Sequence, residues 1–517
     1  MATTRATSGP SPSAGGVARN AALSIDRERF RELGHHLIDA IADRLAAIPA
    51  GRVTPGETPG AVRQALGVGG ALPERGADPR ALLDRATALL FDHSLFNGHP
   101  RFFGYITSSP APIGMLGDLL SAAVNPNVGA WALAPAATEI EAETVRWVAE
   151  LIGYPADCGG LMVSGGNMAN FIGFFAARAA GADWSVREKG IAGGEGRKLR
   201  AYVSAETHTW IQKAADLSGI GTDAIRWIPC DAEQRMDMAS LRSQIDEDRA
   251  RGDRPFLVVG TAGSVSTGAV DPLPEIASLC REQKLWFHVD GAYGGFAARV
   301  PGVPSALRAL SEADSVAVDP HKWLYAPLEA GCALVRDPEH LIRAFSYHPP
   351  YYHLEEKVVN FVDFGPQNSR GFRALKVWLA LQQVGAAGHR ELIAEDIELS
   401  RAMAERIERH PELERVTQAL SIVTFRFVPG DLRARVGEAD VEAYLNDLNR
   451  ELLDRSQRAG EVFVSNAVIG DRYVLRACIV NFHTARADVE ATPDILARMG
   501  RQLDAAKRPA GLRAARS

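Results

Sequence analysis

The chain has 517 residues, of which 46% are hydrophobic and 23% are charged, and its formal net charge is −6. A chain of this length and apolar content can bury a large core and is expected to divide into two or three domains. The sequence shows no basic footprint for nucleic acid, no polybasic membrane patch and no apolar stretch long enough to span a bilayer. We therefore expect neither nucleic acid nor membrane as a partner.

The five cysteines are scattered along the chain, without a Cys-x-x-Cys pair or another metal-binding spacing. An odd number of cysteines argues against a disulfide framework. Reduced thiols are typical of the cytoplasm, which is the expected compartment. No metal site is expected.

The N-terminal part of the chain divides into a leader and a helical arm. Residues 1–22 are rich in Ala, Ser, Thr, Gly and Pro, and a disordered leader is expected here rather than a transit peptide. From Ile25 to Ile48, apolar residues at helical spacing predict an amphipathic helix with Asp26 as its N-cap. Residues 23–109 are too few to hold a core, so we expect this arm to pack on another subunit or on the main domain.

Short apolar runs alternate with helical segments from residue 110 to residue 393. Such alternation predicts a mostly parallel sheet with helices on both faces. The predicted strands are Gly160–Val163, Leu199–Ser204, Phe256–Gly260, Leu285–Val289, Ser315–Val318 and Cys332–Val335. Ligands of such sheets bind beyond the carboxyl ends of the strands.

The order of elements changes after residue 394. A small α+β domain is predicted over residues 394–506, followed by a basic tail at 507–517. Its predicted elements are the helix Ala394–Glu408, the strand Leu420–Phe427, the helix Val441–Ser456, a hairpin of Glu461–Val464 with Arg472–Val480, and the helix Thr492–Ala506.

Two of the predicted strands are followed by residues that carry chemistry. Asp290 follows the run Leu285–Val289, and Lys322 lies in a His-Lys-Trp sequence shortly after Ser315–Val318. A deprotonated lysine forms an imine with an aldehyde, and a carboxylate keeps a pyridine nitrogen protonated, so the pair indicates pyridoxal phosphate. Each residue also has an ordinary alternative, since Asp before Gly caps turns and most lysines lie on the surface.

Two further segments fit the same cofactor. Ser164–Asn170 follows a strand and opens a helix, where close backbone approach and free N–H groups can hold a phosphate. His208 follows another strand and could stack on an aromatic ring and hydrogen-bond a substrate carboxylate. The alternatives are that Ser164–Asn170 only forms a turn before the helix and that His208 is a solvent-exposed histidine in a loop. Four matches at strand ends, in this order along the chain, argue against coincidence.

These residues resemble the group II pyridoxal-phosphate decarboxylases, which include the aromatic-L-amino-acid, tyrosine, tryptophan, histidine and glutamate decarboxylases. The resemblance runs from about residue 30 to about residue 490. It rests on His99–Tyr105, Ser164–Asn170, His208, Thr261–Ser264, Val289–Tyr293 and Asp319–Trp323.

The resemblance implies a fold type I, pyridoxal-phosphate-dependent transferase-like α/β protein. That fold has a mostly parallel central sheet, a helical N-terminal arm and a small α+β C-terminal domain. The resemblance also implies a homodimer with active sites at the subunit interface and the N-terminal helices wrapped around the partner. The implied activity is decarboxylation of an L-amino acid to the amine and carbon dioxide.

The resemblance assigns roles residue by residue. Lys322 would form the Schiff base, Asp290 would pair with the pyridinium nitrogen, and His208 would stack on the ring. The other implied cofactor contacts are Gly165, Gly166 and Asn167 at the phosphate, with Thr261, Ala292 and His321 beside the ring; the implied substrate contacts are Tyr105, Ser108 and His321.

At one position the chain departs from many relatives. Asp319 stands where many of them have Asn. A carboxylate beside a phosphate repels it unless it is hydrogen-bonded elsewhere. This side chain is therefore not assigned to the phosphate.

The segment His348–Tyr352 resembles the mobile catalytic loop of the family, in which a tyrosine after a proline-containing turn delivers the proton to Cα. Tyr351 is the predicted donor, with Tyr352 next; the alternative is that both tyrosines only pack in a Pro-rich turn. A tyrosine here favours the amine as product over an aldehyde formed by oxidative deamination.

The substrate class rests on fewer residues. The aromatic segment Phe102–Ile106, with Trp131, favours a flat aromatic side chain, and Ser369 hints at a phenol. Arg101 and Arg370 stay open as ligands of a distal carboxylate. The remaining alternatives are an aldehyde synthase, an inactive pyridoxal-phosphate-binding protein, an aminotransferase and a carbon–sulfur lyase.

Overall fold

The computed structural model describes residues 21–348 and 358–512. It divides into two units, the first formed by residues up to 47 with residues 58–94, and the second by residues 48–57 with residues 95 onward. In the described segments, no helix combines the length and the apolar character needed to cross a membrane. The predicted boundaries at residues 22, 109, 393 and 506 remain predictions.

The first unit consists of helices. They are α1 (Arg27–Ala47), α2 (Pro59–Leu66) and α3 (Pro79–Asp92). Asp26 caps α1 as expected, because its carboxylate accepts the Arg29 backbone N–H at 2.9 Å. Leu33 is the one buried residue of α1, and Leu37, Ile41 and Leu45 are partly buried, so the apolar stripe of this helix is only partly covered within the chain.

A seven-stranded sheet forms the centre of the second unit. Its strands are β1 (Gly159–Val163), β2 (Leu199–Ser204), β3 (Ile225–Ile228), β4 (Arg254–Thr261), β5 (Trp286–Asp290), β6 (Ser315–Val318) and β7 (Gly331–Val335). The spatial order is β1-β7-β6-β5-β4-β2-β3, and only β7 runs antiparallel to its neighbours. All six predicted strands are present, each within two residues of its predicted ends.

Both faces of this sheet are covered by helices, as predicted. The helices in and around this part are α4 (Pro112–Val124), α5 (Pro135–Ile152), α6 (Gly166–Gly181), α7 (Val186–Lys189), α8 (Trp210–Leu217), α9 (Met238–Ala250), α10 (Leu273–Gln283), α11 (Pro320–Trp323) and α12 (Glu339–Phe345). Val258 of β4 packs in the apolar core on one face, whereas Leu257 and Val259 pack in the core on the other. Burial on both faces explains why the strands consist of continuous apolar runs.

A four-stranded antiparallel sheet lies in the C-terminal part of the second unit. Its strands, in the spatial order β10-β11-β9-β8, are β8 (Leu413–Ala419), β9 (Ile422–Phe427), β10 (Ser465–Ile469) and β11 (Arg472–Cys478). The accompanying helices are α13 (Ala374–Arg409), α14 (Ala439–Ala459) and α15 (Arg486–Lys507). Helix α13 is interrupted at Gly385, where φ is 70°. It then runs to Arg409 without a break at residue 393, where the sequence predicted a domain boundary.

The predicted first strand of the hairpin was wrong. The strand that pairs with β11 is Ser465–Ile469 rather than Glu461–Val464. The backbone of Phe463 instead pairs with the 101–103 segment, donating to the Arg101 carbonyl at 3.1 Å and accepting from the Phe103 N–H at 2.7 Å. Val462 and Val464 are both buried in the core of this domain. Two buried valines two residues apart resemble the alternating pattern of a strand, which explains the wrong prediction.

Candidate active site

A cavity of about 550 Å³ lies beyond the carboxyl ends of β1, β2, β4, β5 and β6. This is the edge of the sheet where α/β proteins bind ligands. All the predicted cofactor contacts line it: Gly165, Gly166, Asn167, His208, Thr261, Asp290, Ala292, His321 and Lys322. The fold therefore brings together residues that are up to 157 positions apart in the sequence.

The turn between β1 and α6 has the geometry of an anion cradle. Gly165 has φ of 117°, a conformation that side chains disfavour, and α6 begins at Gly166. A Cβ atom at Gly166 would lie 2.6 Å from the Asp319 carboxylate and 3.2 Å from the Ala292 Cβ. The N-terminal turn of a 16-residue helix thus lines the cavity, where its backbone N–H groups can bind a phosphate, and the missing side chain at Gly166 lets the Asp319 carboxylate approach this turn closely.

Asp290 is fixed in orientation by two hydrogen bonds. Its Oδ2 atom accepts the indole N–H of Trp210 at 2.8 Å, and its Oδ1 atom accepts the Ala292 backbone N–H at 3.1 Å. Both the carboxylate and the indole are buried. The sequence analysis gave no role to Trp210, which stands two residues after His208 and 80 residues before Asp290.

Lys322 lies in the short helix α11, shortly after β6. Its Nζ atom is 3.0 Å from Oδ2 of Asp319, and the Nε2 atom of His321 is 3.7 Å from the same oxygen. Asp319 is 1% exposed, and its Oδ1 atom has no hydrogen-bond partner among the described residues. The carboxylate that the sequence left unassigned is therefore the counter-ion of the lysine.

The turn that carries Lys322 is held by a buried acid of α13. Asp396 accepts the Trp323 indole N–H at 2.9 Å and the Tyr325 hydroxyl at 2.8 Å. Burial raises the pKa of Asp396 to about 7, although these two hydrogen bonds oppose the shift. Trp323 also stacks on Tyr293, with the ring centroids 4.7 Å apart.

His208 is exposed at the opening of the cavity. Its Nδ1 atom accepts the Trp210 backbone N–H at 3.2 Å, so in the neutral ring the proton is on Nε2. Partial desolvation lowers the pKa of His208, and the Asp290 carboxylate opposes that shift. The imidazole is therefore neutral at pH 7, which suits stacking on a planar ring.

Of the three predicted substrate contacts, His321 lines the cavity, whereas Ser108 and Tyr105 do not. Ser108 is buried and does not line the cavity; its hydroxyl donates to the His321 carbonyl at 2.8 Å and so supports the lysine turn. Tyr105 is 56% exposed and also does not line the cavity. Tyr351 and Tyr352 lie outside the described residues.

Arg370 does not serve as a ligand for a distal carboxylate. Its side chain is buried and forms an ion pair with Glu141. It also donates to the carbonyls of Val128 at 2.9 Å and Met162 at 2.7 Å. These contacts make Arg370 part of the packing between α5 and β1.

Several residues that line the cavity were missing from the sequence analysis. The charged members are Glu206 and Glu329, and the apolar members at the opening are Val265 and Leu328. Glu206 follows β2 just as His208 does. The expectation that ligands bind beyond the carboxyl ends of strands could therefore have identified Glu206 as well. Val265 and Leu328 lie in loops that carry no pattern.

The matching family model is described as the pyridoxal-dependent decarboxylase conserved domain, and it covers residues 66–428. The chain belongs to the pyridoxal-dependent decarboxylase family. It is 31% identical over 472 residues to an aromatic-L-amino-acid decarboxylase of Bacillus atrophaeus, which covers 90% of this chain and 94% of that relative. It is also 30% identical over 474 residues to a phenylacetaldehyde synthase of Arabidopsis thaliana, which covers 88% of this chain and 92% of that relative.

Among solved structures, Oryza sativa TDC with PLP and tryptamine superposes with a TM-score of 0.86 at 26% identity, covering 93% of this chain and all of that one. The group II decarboxylase family and the fold type I architecture expected from the sequence are thereby confirmed. This decarboxylase is an enzyme that acts on an amino acid and uses pyridoxal phosphate. The helix N-terminus, the carboxylate and the lysine in one cavity fit that cofactor.

Proposed function

We propose that this decarboxylase converts an aromatic L-amino acid to the corresponding amine and carbon dioxide, with Lys322 as the lysine that binds the cofactor. The observation that carries the proposal is the common cavity lined by Lys322, Asp290 and the N-terminus of α6. An amine, a carboxylate and a phosphate cradle at one edge of the sheet supply what pyridoxal phosphate needs from its protein.

Each residue has a distinct task in this proposal. The first turn of α6 binds the phosphate, and Lys322 supplies the primary amine for the cofactor carbonyl. Asp290, held by Trp210, keeps the pyridine nitrogen protonated. When bound, pyridoxal phosphate accepts the electron pair that the departing carboxylate leaves on Cα. His208, neutral and at the opening, covers one face of the ring and orients the substrate.

Proton return to Cα completes the reaction. Tyr351, outside the described residues, is the proposed donor. A hydroxyl at that point favours protonation of Cα and hence release of the amine.

An aromatic substrate is supported by two observations. The Bacillus relative is named as an aromatic-L-amino-acid decarboxylase, and the Oryza sativa structure contains tryptamine. At the opening of the cavity, Val265 and Leu328 expose apolar side chains that can contact a flat ring. The ion pair of Arg370 with Glu141 removes one candidate ligand for an acidic substrate.

We further propose that the enzyme is a cytoplasmic homodimer. Helix α4 exposes Leu116, Leu119, Leu120 and Val124, each at least half accessible in the isolated chain. Four large apolar side chains on one short helix support burial against a second subunit. The five cysteines all lie in the described residues and are free, which supports a reducing compartment.

A carbon-dioxide release screen with the twenty amino acids and dihydroxyphenylalanine tests the proposal, with the product mass measured for each positive. The expected result is release from tyrosine, tryptophan, phenylalanine or dihydroxyphenylalanine, with the amine as product. The similarity to the phenylacetaldehyde synthase makes the aldehyde the second candidate, and equal amounts of peroxide and carbon dioxide would identify it. Yellow protein that borohydride bleaches but that releases no carbon dioxide would instead indicate an inactive binding protein.

A further inference from the structure

Asp319 is a carboxylate in the part of the cavity that faces the phosphate cradle. Its Oδ2 atom lies 2.6 Å from the position that a Cβ of Gly166 would occupy, at the first residue of α6. The residue is 1% exposed, and its Oδ1 atom has no hydrogen-bond partner among the described residues. A buried, half-satisfied carboxylate therefore occupies the region where a doubly charged phosphate is expected to bind.

The groups that surround Asp319 explain how the charge is tolerated without the cofactor. From α11, Lys322 pairs with it at 3.0 Å and His321 lies at 3.7 Å. Cys332 of β7 and His208 after β2 also interact with it electrostatically. Burial raises the pKa of Cys332 and lowers the pKa of both histidines, so these three groups are neutral at pH 7. The charge of Asp319 is balanced chiefly by the Lys322 ammonium.

Loading of the cofactor changes this balance. To bind the cofactor carbonyl, the Lys322 ammonium would first give up one proton, and its free amine would then form a carbon–nitrogen double bond that keeps one proton. The carbon–oxygen double bond would break, and the oxygen would leave as water with the other two of the three original ammonium protons. Charge and protons are conserved in that step. The phosphate adds negative charge beside Asp319, and at distances of a few ångströms this repulsion is substantial even at high effective dielectric. A neutral carboxyl group removes the repulsion and can donate its O–H to a phosphate oxygen.

We propose that Asp319 couples binding of pyridoxal phosphate to the uptake of one proton, passing from counter-ion of Lys322 in the cofactor-free enzyme to neutral hydrogen-bond donor in the loaded enzyme. This inference rests on the proposed cofactor site. Its consequence is that cofactor affinity falls as pH rises, because the proton becomes harder to acquire.

The test is calorimetric titration of the cofactor-free enzyme with pyridoxal phosphate at pH 8, in two buffers that differ in ionisation enthalpy. Comparison of the two buffers gives the number of protons taken up. We expect the wild type to take up about one proton more than Asp319→Asn, and the variant to bind about tenfold more tightly. Asparagine keeps the shape and can still donate to a phosphate, so it is the matched variant.

Pyridoxal, which lacks the phosphate, is the control ligand, and it also serves if the variant does not fold. In the wild type, the extra proton uptake should appear with pyridoxal phosphate and not with pyridoxal. Equal uptake and equal affinity in wild type and Asp319→Asn would overturn the inference while leaving the cofactor site intact. Failure of the wild type to bind pyridoxal phosphate at all would instead overturn the proposed site.

Discussion

The indole of Trp210 donates its N–H to the Asp290 carboxylate at 2.8 Å, inside the protein core. A hydrogen bond to a charged group contributes about 1.5–3 kcal/mol, and here it also fixes which carboxylate oxygen faces the ligand. The ring packs edge-on against Phe174 and His288, so its position does not depend on the hydrogen bond alone. Trp210 thus holds the Asp290 carboxylate in place and, in the proposed site, would affect the cofactor through it.

Trp210→Phe keeps an aromatic ring in the core but removes the N–H. We predict a decrease in kcat/KM of about tenfold to a hundredfold, together with a shift in the visible absorption of the bound cofactor, because Asp290 is no longer held. Trp184→Phe is the control, since that indole donates to the Gly190 carbonyl at 3.0 Å far from any residue that lines the cavity. An unchanged spectrum in Trp210→Phe would contradict this role.

That the proposed cofactor contacts line one cavity could be predicted from the sequence, because each stands after a strand, in a short motif. The contact of Trp210 with Asp290 could not, because it depends on where the fold places the first residue of α8 relative to the end of β5. The sequence marked Asp319 as a departure from the pattern of many relatives, but its pairing with Lys322 depends on the geometry of α11. Ser108 was predicted to line the substrate pocket, but it does not line the cavity, because its hydroxyl donates to the His321 carbonyl behind it.

At the scale of elements, Asp396 joins α13 to the turn that carries Lys322. Its pKa is raised from 3.8 to about 7, so the folded protein holds the proton more tightly than the unfolded chain does. Through this group, stability is highest at low pH and falls as pH rises from about 4 to about 7. His288 has the opposite sign, because burial lowers its pKa from 6.5 to about 4. The contribution of Asp396 is therefore obtained by comparing the free energy of unfolding of the wild type with that of a variant that lacks this carboxyl group, at each pH.

Asp396→Asn removes the ionisation and keeps an acceptor for Trp323 and Tyr325. We predict that the free energy of unfolding of the variant, minus that of the wild type, increases by about 3 kcal/mol between pH 5 and pH 8. Urea unfolding at the two pH values measures it. Asp396→Ala, which leaves both donors unpaired, should destabilise at both pH values by about 2–4 kcal/mol. The account would be contradicted if the difference in free energy of unfolding between Asp396→Asn and the wild type were the same at both pH values.

The elements that the sequence predicted best are those buried on both faces. Strands β2 and β6 were predicted with their observed ends because every residue in them is buried. Strand β3 was missed because it lies at the edge of the sheet, with Trp227 42% exposed and Arg226 partly exposed. In β8 only Leu413 is buried. The sequence of this strand therefore shows little alternation of apolar and polar residues, and no strand was predicted there.

At the scale of the whole molecule, the apolar face of α4 predicts a homodimer. Leu119→Glu combined with Leu120→Glu places two charges on that face, and we expect monomers with little decarboxylase activity. Sedimentation equilibrium measures the change in mass. Val468→Glu is the control, because Val468 is 57% exposed on the strand β10, away from α4. A double variant that sediments as a dimer would contradict the assignment of this face.

The central claim is that Lys322 binds the cofactor carbonyl, with Asp290 at the other end of the same site. The most direct measurement is reduction of the pyridoxal-phosphate-loaded enzyme with borohydride, followed by proteolysis and mass spectrometry of the peptides. We predict one pyridoxyl-phosphate adduct per chain, on Lys322, and none in Lys322→Ala. An adduct on a different lysine, or an undiminished adduct in Lys322→Ala, would contradict the claim.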